Sequence, residues 1–384
     1  MITGTSRVHK PRPARDSGAS ARPIIVHLSR LMTKRPMAQF AILILPAFNR
    51  VYGESAVRLT RAELGVFNVT VLGGRVGEVT ETTIGGVPYV TFEADDLSEQ
   101  DIAYLSNMSS LYALFRREGE LLRPIAVKPL DVFDSDLLTI QKYAGKTNEH
   151  FTKLLLNLTL VSMRSPGDML SAKLSVFDPM CGRGTTLNQA LMYGYDAVGI
   201  EVDAKDFDAY AHFLRTWLKN KRLKHSAEIT PIRRDRTHLG RRLSVRLGRD
   251  KESWKAGRAD SITMINADTV HSAELLRPRS VDVLATDAPY GVQHASRGGK
   301  TRHGDHLSRS PLGLLKAAVP GWRELMRPGG AVGVSCNVYV APRGEVAAIL
   351  AANDLEVLDT PEYRAFEHRV DQAITRDVVI ARVP

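Results

Sequence analysis

The stretch Val176-Phe177-Asp178-Pro179-Met180-Cys181-Gly182-Arg183-Gly184-Thr185-Thr186 is the clearest indication of the fold of this 384-residue chain. An apolar run from Leu174 to Phe177 leads into the acid Asp178. A turn with two glycines follows, and then a helix-like segment, 186–193. This order predicts a strand, a tight loop and the start of a helix. Glycines let a backbone approach a ligand closely, and a carboxylate at this point can hold a cation or an amino group. The loop is not a Walker loop, because no Gly-Lys-Ser/Thr follows, and it is not the Gly-x-Gly-x-x-Gly of dinucleotide sites.

Acids also follow three later apolar segments. Glu201 ends Asp196-Ala197-Val198-Gly199-Ile200-Glu201, at a position where an acid usually binds ribose hydroxyls. Asp268 follows the segment 262–266 and can accept a hydrogen bond from an adenine amine, and Asp287 follows the segment 281–285. Helix capping explains any one of these acids. Four strand-end acids in succession favour a ligand-binding edge, because open α/β sheets bind ligands at the carboxyl ends of their strands.

The last of these acids lies in Thr286-Asp287-Ala288-Pro289-Tyr290-Gly291, a pattern suited to chemistry on the exocyclic amine of a flat base. Such an amine is a poor nucleophile, because its lone pair is delocalised into the ring. The carboxylate of Asp287 and the carbonyl of Ala288 can accept its two protons as hydrogen bonds, and the ring of Tyr290 can stack on the base. Pro289 restricts the preceding residue to extended dihedral angles, which keeps that carbonyl in one direction.

Strand and helix patterns alternate through the C-terminal two thirds of the chain. Strands are predicted near 174–178, 196–200, 262–266, 281–286, 330–336, 355–359 and 377–382, and helices near 148–163, 185–193, 204–222, 311–326 and 343–352. The alternation predicts an α/β fold over 131–384, with a doubly wound, mainly parallel, Rossmann-like sheet. The loop 293–305 is rich in glycine and basic residues and is predicted to be a lid over substrate.

A smaller α+β domain is predicted over 37–130. Its elements are a strand at 40–45, a helix opened by the capping-box spacing Thr60-Arg61-Ala62-Glu63, a hairpin over 79–92 that turns at Gly85-Gly86, and a helix after Ser98. The preceding segment 1–36 is basic and has no apolar period. It is predicted to be a disordered tail or a misassigned start, with Met32 or Met37 as the initiator.

Charge is unevenly distributed along the chain, whose formal net charge is +10. The segment 219–258 holds fourteen basic and four acidic residues, so we expect the insert 219–260 to bind phosphate backbones; a solvated, partly disordered insertion is the alternative.

Two cysteines make no disulfide framework, which favours a reducing, cytoplasmic compartment. The sequence has no Cys/His cluster at zinc spacing and no run as long as a membrane span, so neither a metal nor a membrane is expected.

The motifs, taken in order, resemble a known family. Phe-Asp-Pro-x-Cys-Gly-x-Gly-Thr-Thr, Gly-Ile-Glu, Asn-Ala-Asp and Thr-Asp-x-Pro-Tyr-Gly are similar to those of class I S-adenosylmethionine-dependent amino-methyltransferases of nucleic acids. Within this class the chain most resembles the tRNA guanosine-N2 methyltransferases whose catalytic domain follows a THUMP-type RNA-binding domain. The helix 148–161, the C-terminal stretch 368–377 and the segment 58–64 add to the resemblance. Ala288 replaces the family's proline, and Met180 its more usual phenylalanine.

The resemblance implies an enzyme that transfers a methyl group from S-adenosylmethionine to guanosine N2 in tRNA. Catalysis is assigned to Asp287, Ala288, Pro289 and Tyr290. Cofactor binding is assigned to Asp178, Met180, Gly182, Gly184, Thr185, Glu201, Asp268 and Thr269. Substrate contacts are expected from Asn337, Arg297, Lys300, Arg233, Arg234, Arg241 and Arg242.

Two other functions remain open. A DNA adenine-N6 or cytosine-N4 methyltransferase would use the same amine chemistry on a base flipped from the duplex, although the sequence shows no recognisable DNA-reading module. A non-catalytic RNA-binding partner subunit is the second alternative, and the departure at Ala288 is its only support.

Overall fold

The computed structural model describes residues 37–45, 50–143, 145–234, 237–289 and 310–384, and for 50–52, 54, 234, 237 and 238 it describes the backbone only. The predicted tail 1–36, Tyr290 and the predicted lid 293–305 lie outside these residues. Pro36–Pro384 form one compact unit. Its described residues contain a five-stranded and a ten-stranded sheet. The domain boundary placed near 130 stays a prediction.

The five-stranded sheet is antiparallel throughout. Its strands are β1 (Ala38–Ile44), β2 (Val76–Ile84), β3 (Val87–Ala94), β4 (Leu111–Glu118) and β5 (Leu121–Ile125), in the order β2-β3-β1-β4-β5, with helices α1 (Arg50–Thr70) and α2 (Glu99–Leu105). The predicted hairpin is confirmed, because Gly85 and Gly86 turn between β2 and β3 with φ of +57° and +82°, a left-handed conformation that favours glycine. The predicted helix after Ser98 is also confirmed, and a capping box with Asp101 begins it.

The start of the first helix was predicted wrongly. The spacing at Thr60 predicts a helix start there, but α1 begins ten residues earlier, at Arg50. The hydroxyl of Thr60 donates to the carbonyl of Ala56 over 2.7 Å, a bond that threonines form inside helices. Glu63 therefore caps nothing. Its carboxylate is fully buried and accepts hydrogen bonds from the backbone and hydroxyl of Ser109 and from Nδ2 of Asn157, which ties α1 to the helix Glu149–Val161.

The rest of the chain forms the second sheet and its helices. The strands are β6 (Ser175–Asp178), β7 (Asp196–Glu201), β8 (His225–Arg234), β9 (Thr237–Leu247), β10 (Asp260–Asn266), β11 (Val281–Asp287), β12 (Met326–Asn337), β13 (Glu356–Leu358), β14 (His368–Arg369) and β15 (Thr375–Arg382). The helices are α3 (Asp136–Thr139), α4 (Glu149–Val161), α5 (Asp168–Ser171), α6 (Thr185–Met192), α7 (Ala204–Asn220), α8 (Lys251–Lys255), α9 (Ser272–Leu275), α10 (Pro311–Leu325) and α11 (Arg343–Ala351), with 3₁₀ turns at Thr269–His271 and Pro361–Arg364.

The order of the strands confirms the predicted fold class. Along the sheet it runs β13-β15-β12-β11-β6-β7-β10-β9-β8, with β14 paired to β15. The five strands from β12 to β10 pair with one another in parallel, and β15 is antiparallel to both β12 and β13. The chain winds outward from β6 in one direction and resumes at β11 in the other. Open α/β sheets bind ligands at such a reversal, outside the carboxyl ends of the strands.

The basic insert forms a long hairpin, β8–β9, that extends the sheet beyond β10. No strands were predicted there. A period of two was present in Leu243-Ser244-Val245-Arg246-Leu247, whose three apolar residues are buried while Ser244 and Arg246 are exposed. The density of charge concealed this alternation, and the alternative of a partly disordered insertion is wrong for the described residues of the hairpin.

Candidate active site

Two of the predicted acids meet at the reversal of the sheet. Asp178 ends β6, Asp287 ends β11, and these strands are parallel neighbours. The hydroxyl of Thr286 donates to Oδ1 of Asp178 over 2.7 Å, and the backbone N–H of Met180 donates to the same oxygen over 3.1 Å. Burial is the largest influence on this carboxyl and raises the pKa of Asp178 to about 6, against its hydrogen bonds from hydroxyl and amide groups. A buried carboxylate whose donors are neutral favours a cationic ligand.

The two glycines of the loop after β6 have different surroundings. Gly182 has a φ of +50°, and a Cβ at this position would meet no atom within 4 Å. Gly184 has a φ of +78°, and its Cβ would fall 2.3 Å from the ring of Tyr210 in α7. Gly184 is therefore required by packing inside the protein, whereas Gly182 leaves open space beside the loop. Met180 lies in the same loop and Thr185 is the first residue of α6; both were assigned to the cofactor and are partly exposed.

Glu201, at the end of β7, supports the same loop. Its Oε2 accepts from the backbone N–H of Gly182 over 2.8 Å, and its Oε1 accepts from that of Asp203 over 2.7 Å. Burial raises the pKa of Glu201 to about 7. A ribose hydroxyl bound here would share oxygens that already hold the glycine loop, so the acid shapes the loop as well as offering an acceptor.

The third acid, Asp268, caps the turn that follows β10. Its Oδ1 accepts from the backbone N–H of Val270 over 3.0 Å. Thr269 is buried, and its hydroxyl accepts a hydrogen bond of 2.9 Å from the indole N–H of Trp322. Both residues lie at the predicted edge of the sheet. Both side chains form hydrogen bonds within the protein, and their roles in cofactor binding stay predictions.

Asp287, the predicted catalytic acid, accepts hydrogen bonds from three separate parts of the chain. Ser335 of β12 donates its hydroxyl to Oδ1 over 2.6 Å. Thr147, just before α4, donates to Oδ2 over 2.9 Å, and Arg376 of β15 donates to the same oxygen over 3.1 Å. Neighbouring strands and a preceding loop therefore fix both oxygens of this carboxylate, as expected for a group that must orient a ligand.

Arg376 holds this carboxylate from within the protein. Its side chain is 4% exposed and that of Asp287 is 15% exposed. The guanidinium lies 4.1 Å from the ring centre of Phe151 in α4, which is fully buried. A planar guanidinium stacked on an aromatic ring and bonded to a carboxylate has few alternative positions. The charge of Asp287 is thus paired inside the fold.

The residues that follow Asp287 return toward β12. The backbone N–H of Ala288 donates to the carbonyl of Ser335 over 2.9 Å, and Ala288 is 1% exposed. Pro289 is exposed. Tyr290 lies outside the described residues, as do Arg297 and Lys300. Of the predicted amine-binding pattern, the structure therefore places Asp287, Ala288 and Pro289 at the sheet reversal.

The residues predicted to contact substrate differ in how accessible they are. Asn337 is 2% exposed; its Oδ1 accepts from the backbone N–H groups of Tyr339 and Thr375, and its Nδ2 donates to the carbonyl of Ala373. Arg233 is exposed on β8, and the side chain of Arg234 lies outside the described residues. Their roles toward substrate stay predictions.

Two arginines of the hairpin are engaged by the fold. Arg241 forms a bidentate pair with Asp208 at 2.9 and 3.2 Å and lies 4.7 Å from the ring centre of Phe207. Arg242 donates to the carbonyl of Leu275 over 2.9 Å. These contacts attach the hairpin to α7 and α9, so the phosphate-binding role predicted for Arg241 and Arg242 competes with a structural one.

Four residues that fix the two acids were not predicted from the sequence: Thr147, Thr286, Ser335 and Arg376. Thr286 and Arg376 stand within motifs that had been singled out, but only the strand register brings their side chains to the acids. Asp287 is opposite Ser335, and Asn337 is opposite Arg376. A hydroxyl two residues before the end of β12 was the available signal for Ser335.

Two further features concern metals and membranes. Among the residues that the structure describes, no group of three His, Cys, Asp or Glu side chains is arranged to hold a metal ion. Over the same residues, no helix combines the length and the apolar character needed to cross a membrane.

Comparison with known proteins gives weak similarities. No protein-family model matches the chain, and a search of curated proteins finds no significant match. Among solved structures, the chain is similar to TrmN from Thermus thermophilus, with 12% identity, a TM-score of 0.40, and coverage of 90% of this chain and 100% of that one. It is also similar to the magnesium protoporphyrin IX methyltransferase ChlM from Synechocystis, with 12% identity, a TM-score of 0.34 and coverage of 63% and 87%. A third is the N-methyltransferase NodS from Bradyrhizobium japonicum, with 11% identity, a TM-score of 0.34 and coverage of 61% and 94%.

At these identities and TM-scores the similarities assign neither an activity nor a substrate to this chain. The fold class is defined by the strand order itself: a doubly wound, mainly parallel, Rossmann-like sheet with its acids at the carboxyl edge.

Proposed function

We propose that this chain is an S-adenosylmethionine-dependent methyltransferase that acts on an exocyclic base amine in RNA, with guanosine N2 in tRNA as the favoured target. One observation carries the proposal. Asp178 and Asp287 end adjacent parallel strands at the reversal of the sheet, and Thr286 hydrogen-bonds to Asp178 at that point. A cofactor loop and an amine-binding corner that are about a hundred residues apart in sequence therefore border the same edge.

The residues around the glycine loop suit S-adenosylmethionine. This cofactor carries a positive sulfonium and an ammonium group, and it supplies a methyl group that a nucleophile displaces from sulfur. Asp178 and Glu201 are acids whose pKa values are raised by burial, to about 6 and about 7, and a cation beside them would favour their ionised forms. The open space beside Gly182 leaves room for a ligand to approach the backbone.

Asp287 and Ala288 are assigned to the amine. Asp287 accepts one N–H of the amine and the carbonyl of Ala288 accepts the other, which turns the nitrogen lone pair out of the plane of the base. As the new N–C bond forms, the amine loses one proton to Asp287, which passes it to water. Thr147, Ser335 and Arg376 hold the carboxylate still during this step. The sequence pattern alone assigns Tyr290 to stacking on the base.

The choice of RNA rests on charge and on the resemblance of the motifs. The β8–β9 hairpin and its neighbours expose basic side chains, Arg233 and Arg246 among them, which suit a phosphate backbone without reading its sequence. The similarity of the motifs to tRNA guanosine-N2 methyltransferases favours tRNA over other RNA.

The test is methyl transfer from radiolabelled S-adenosylmethionine to unfractionated tRNA and to double-stranded DNA, followed by mass spectrometry of the nucleosides. N2-methylguanosine in tRNA is the expected product. Labelled N6-methyladenine or N4-methylcytosine in DNA would instead establish the DNA alternative. Binding of the cofactor without transfer to either polymer would support a non-catalytic subunit.

A further inference from the structure

An exposed aromatic ring stands beside the proposed catalytic corner. Tyr339 follows β12, the strand that supplies Ser335 to Asp287, and it is 67% exposed. We infer that Tyr339 is a stacking platform for an unpaired RNA nucleotide adjacent to the target base. This inference rests on the proposed function, because it names how the same site holds its RNA substrate.

The turn that carries Tyr339 is fixed by the fold. The amide of Asn337 joins it to the turn before β15, because Oδ1 accepts from the backbone of Tyr339 and of Thr375 while Nδ2 donates to Ala373. The backbone N–H of Val338 also donates to the carbonyl of Thr375 over 2.8 Å. The side-chain amide of Asn337, which was expected to contact substrate, is thus buried, and it holds in place the turn that carries Tyr339.

The ring itself is held at one end. The hydroxyl of Thr375 donates to the phenolic oxygen of Tyr339 over 3.0 Å, although most of the side chain faces solvent. An exposed ring with a fixed hydroxyl loses little conformational entropy when a base stacks on it. Stacking suits any base, because every base has an aromatic face.

The position of Tyr339 favours a neighbouring nucleotide over the target itself. Asn337 is the strand partner of Arg376, which bonds to Asp287. Tyr339 lies two residues beyond this row, in a turn that the backbone N–H of Val340 closes by donating to the carbonyl of Asn337 over 3.1 Å. Asp287 itself is opposite Ser335, four residues before Tyr339, so the ring is expected to meet the base next to the one whose amine is on Asp287.

The experiment measures RNA affinity for three substitutions at one position. Tyr339→Phe keeps the ring, Tyr339→Leu keeps apolar bulk without the ring, and Tyr339→Ala removes both. The probes are unfractionated tRNA and a fluorescein-labelled single-stranded U-rich RNA. Tyr339→Ala and Tyr339→Leu are expected to weaken binding roughly tenfold, within the range of aromatic–base stacking, while Tyr339→Phe stays within about twofold. KM for tRNA should rise with the same pattern while kcat at saturation changes little, because the reacting base is held elsewhere.

Two controls separate this inference from the proposed function. The dissociation constant for S-adenosylmethionine and the unfolding temperature should be unchanged in all three variants, since the side chain is exposed. Wild-type protein that methylates tRNA, together with a Tyr339→Ala variant of unchanged RNA affinity and KM, would overturn the platform alone. If the wild type and the three variants bind the RNA probes with the predicted pattern of affinities, but the wild type transfers no methyl group, the proposed activity alone would be overturned. Equal weakening by Tyr339→Phe would also overturn the platform, because it would place the effect in the hydroxyl.

Discussion

Thr286 and Asp178 are 108 residues apart in sequence and are joined by a hydrogen bond of 2.7 Å in the buried interior. The bond connects the ends of β11 and β6, and the residue after Thr286 is the proposed catalytic acid. The position of the amine-binding corner is therefore coupled to that of the cofactor loop through one hydroxyl.

Replacing this hydroxyl should damage both functions of the edge. Thr286→Val keeps the shape of the side chain but leaves Oδ1 of Asp178 with one donor fewer, at a cost of about 1–3 kcal/mol. The bond from Thr286 lowers the pKa of Asp178, so its loss should raise that pKa further. We expect the dissociation constant for S-adenosylmethionine, measured by calorimetry, to rise about tenfold. Thr286→Ser restores the donor, so its dissociation constant for S-adenosylmethionine should be within about twofold of wild type. Equal weakening in both variants would show that the hydroxyl of Thr286 does not support cofactor binding.

Asp178→Asn should raise the free energy of unfolding and lower the affinity for the cofactor. The folded-state pKa of Asp178 is about 6, above the ordinary value of 3.8, so the stability contributed by its protonated form is present below pH 4 and is lost as pH rises through 6. Asparagine does not ionise and avoids this loss. The variant should unfold with a free energy about 1–3 kcal/mol larger than wild type at pH 8, and the two should converge toward pH 4. Chemical denaturation at both pH values checks this.

The same variant should bind S-adenosylmethionine at least tenfold more weakly, because the charge that attracts the cofactor is gone. A variant that is no more stable at pH 8, or that binds the cofactor normally, would contradict the assignment of Asp178 as a buried ligand for a cation.

Arg376 is expected to position Asp287 without contacting substrate. Arg376→Met removes the cation from a buried pair and should destabilise the fold by about 3–5 kcal/mol, whereas adding Asp287→Asn should recover most of that loss. Arg376→Lys keeps the charge but not the planar contact with Phe151. We expect kcat to fall about tenfold for Lys and further for Met, with the cofactor affinity unchanged. A kcat unaffected by Arg376→Lys would show that the orientation of Asp287 does not depend on the guanidinium plane.

The exposed and the engaged arginines of the β8–β9 hairpin should behave differently. Arg233→Glu and Arg246→Glu should weaken RNA binding and flatten its dependence on salt, because each phosphate contact contributes about 0.7–0.9 to the logarithmic salt slope. Arg241→Gln should instead lower the unfolding temperature, since Arg241 pairs with Asp208. The matched control is Arg164→Glu, an exposed reversal whose backbone N–H bonds to Gly329 of β12, a strand that β11, β6, β7 and β10 separate from the hairpin. Equal effects from Arg164 and Arg246 would reduce the result to net charge.

The sequence predicted the sheet and its acids because both depend on local pattern. The acids follow short apolar runs, and in a parallel sheet the ends of such runs share one edge, so Asp178 and Asp287 were predictable at the same edge, though not as ends of adjacent strands. The last strand, β15, was predictable as a strand because it is a long apolar run, but such a run does not give its antiparallel direction.

What could not be predicted depends on register and on contacts between distant segments. Ser335 and Arg376 reach Asp287 only because β12 and β15 pair in one alignment, and a shift of one residue would turn both side chains to the other face. At Glu63 a local pattern was misleading. Its spacing from Thr60 indicated a helix cap, but its carboxylate is buried and accepts a hydrogen bond from Asn157. The hairpin β8–β9 was missed because its charges outweighed a short apolar alternation.

The proposed reaction depends most on Asp287, the group that would orient the amine beside a separate cofactor loop. The direct measurement is methyl transfer to tRNA by Asp287→Ala and Asp287→Asn, with calorimetric binding of S-adenosylmethionine to the same folded preparations. We expect transfer to fall by at least about 100-fold, as for the loss of a preorganised polar group in other active sites, while the dissociation constant for the cofactor stays within about threefold. Retained transfer, or loss of cofactor binding in a variant that still folds, would show that Asp287 does not have this role.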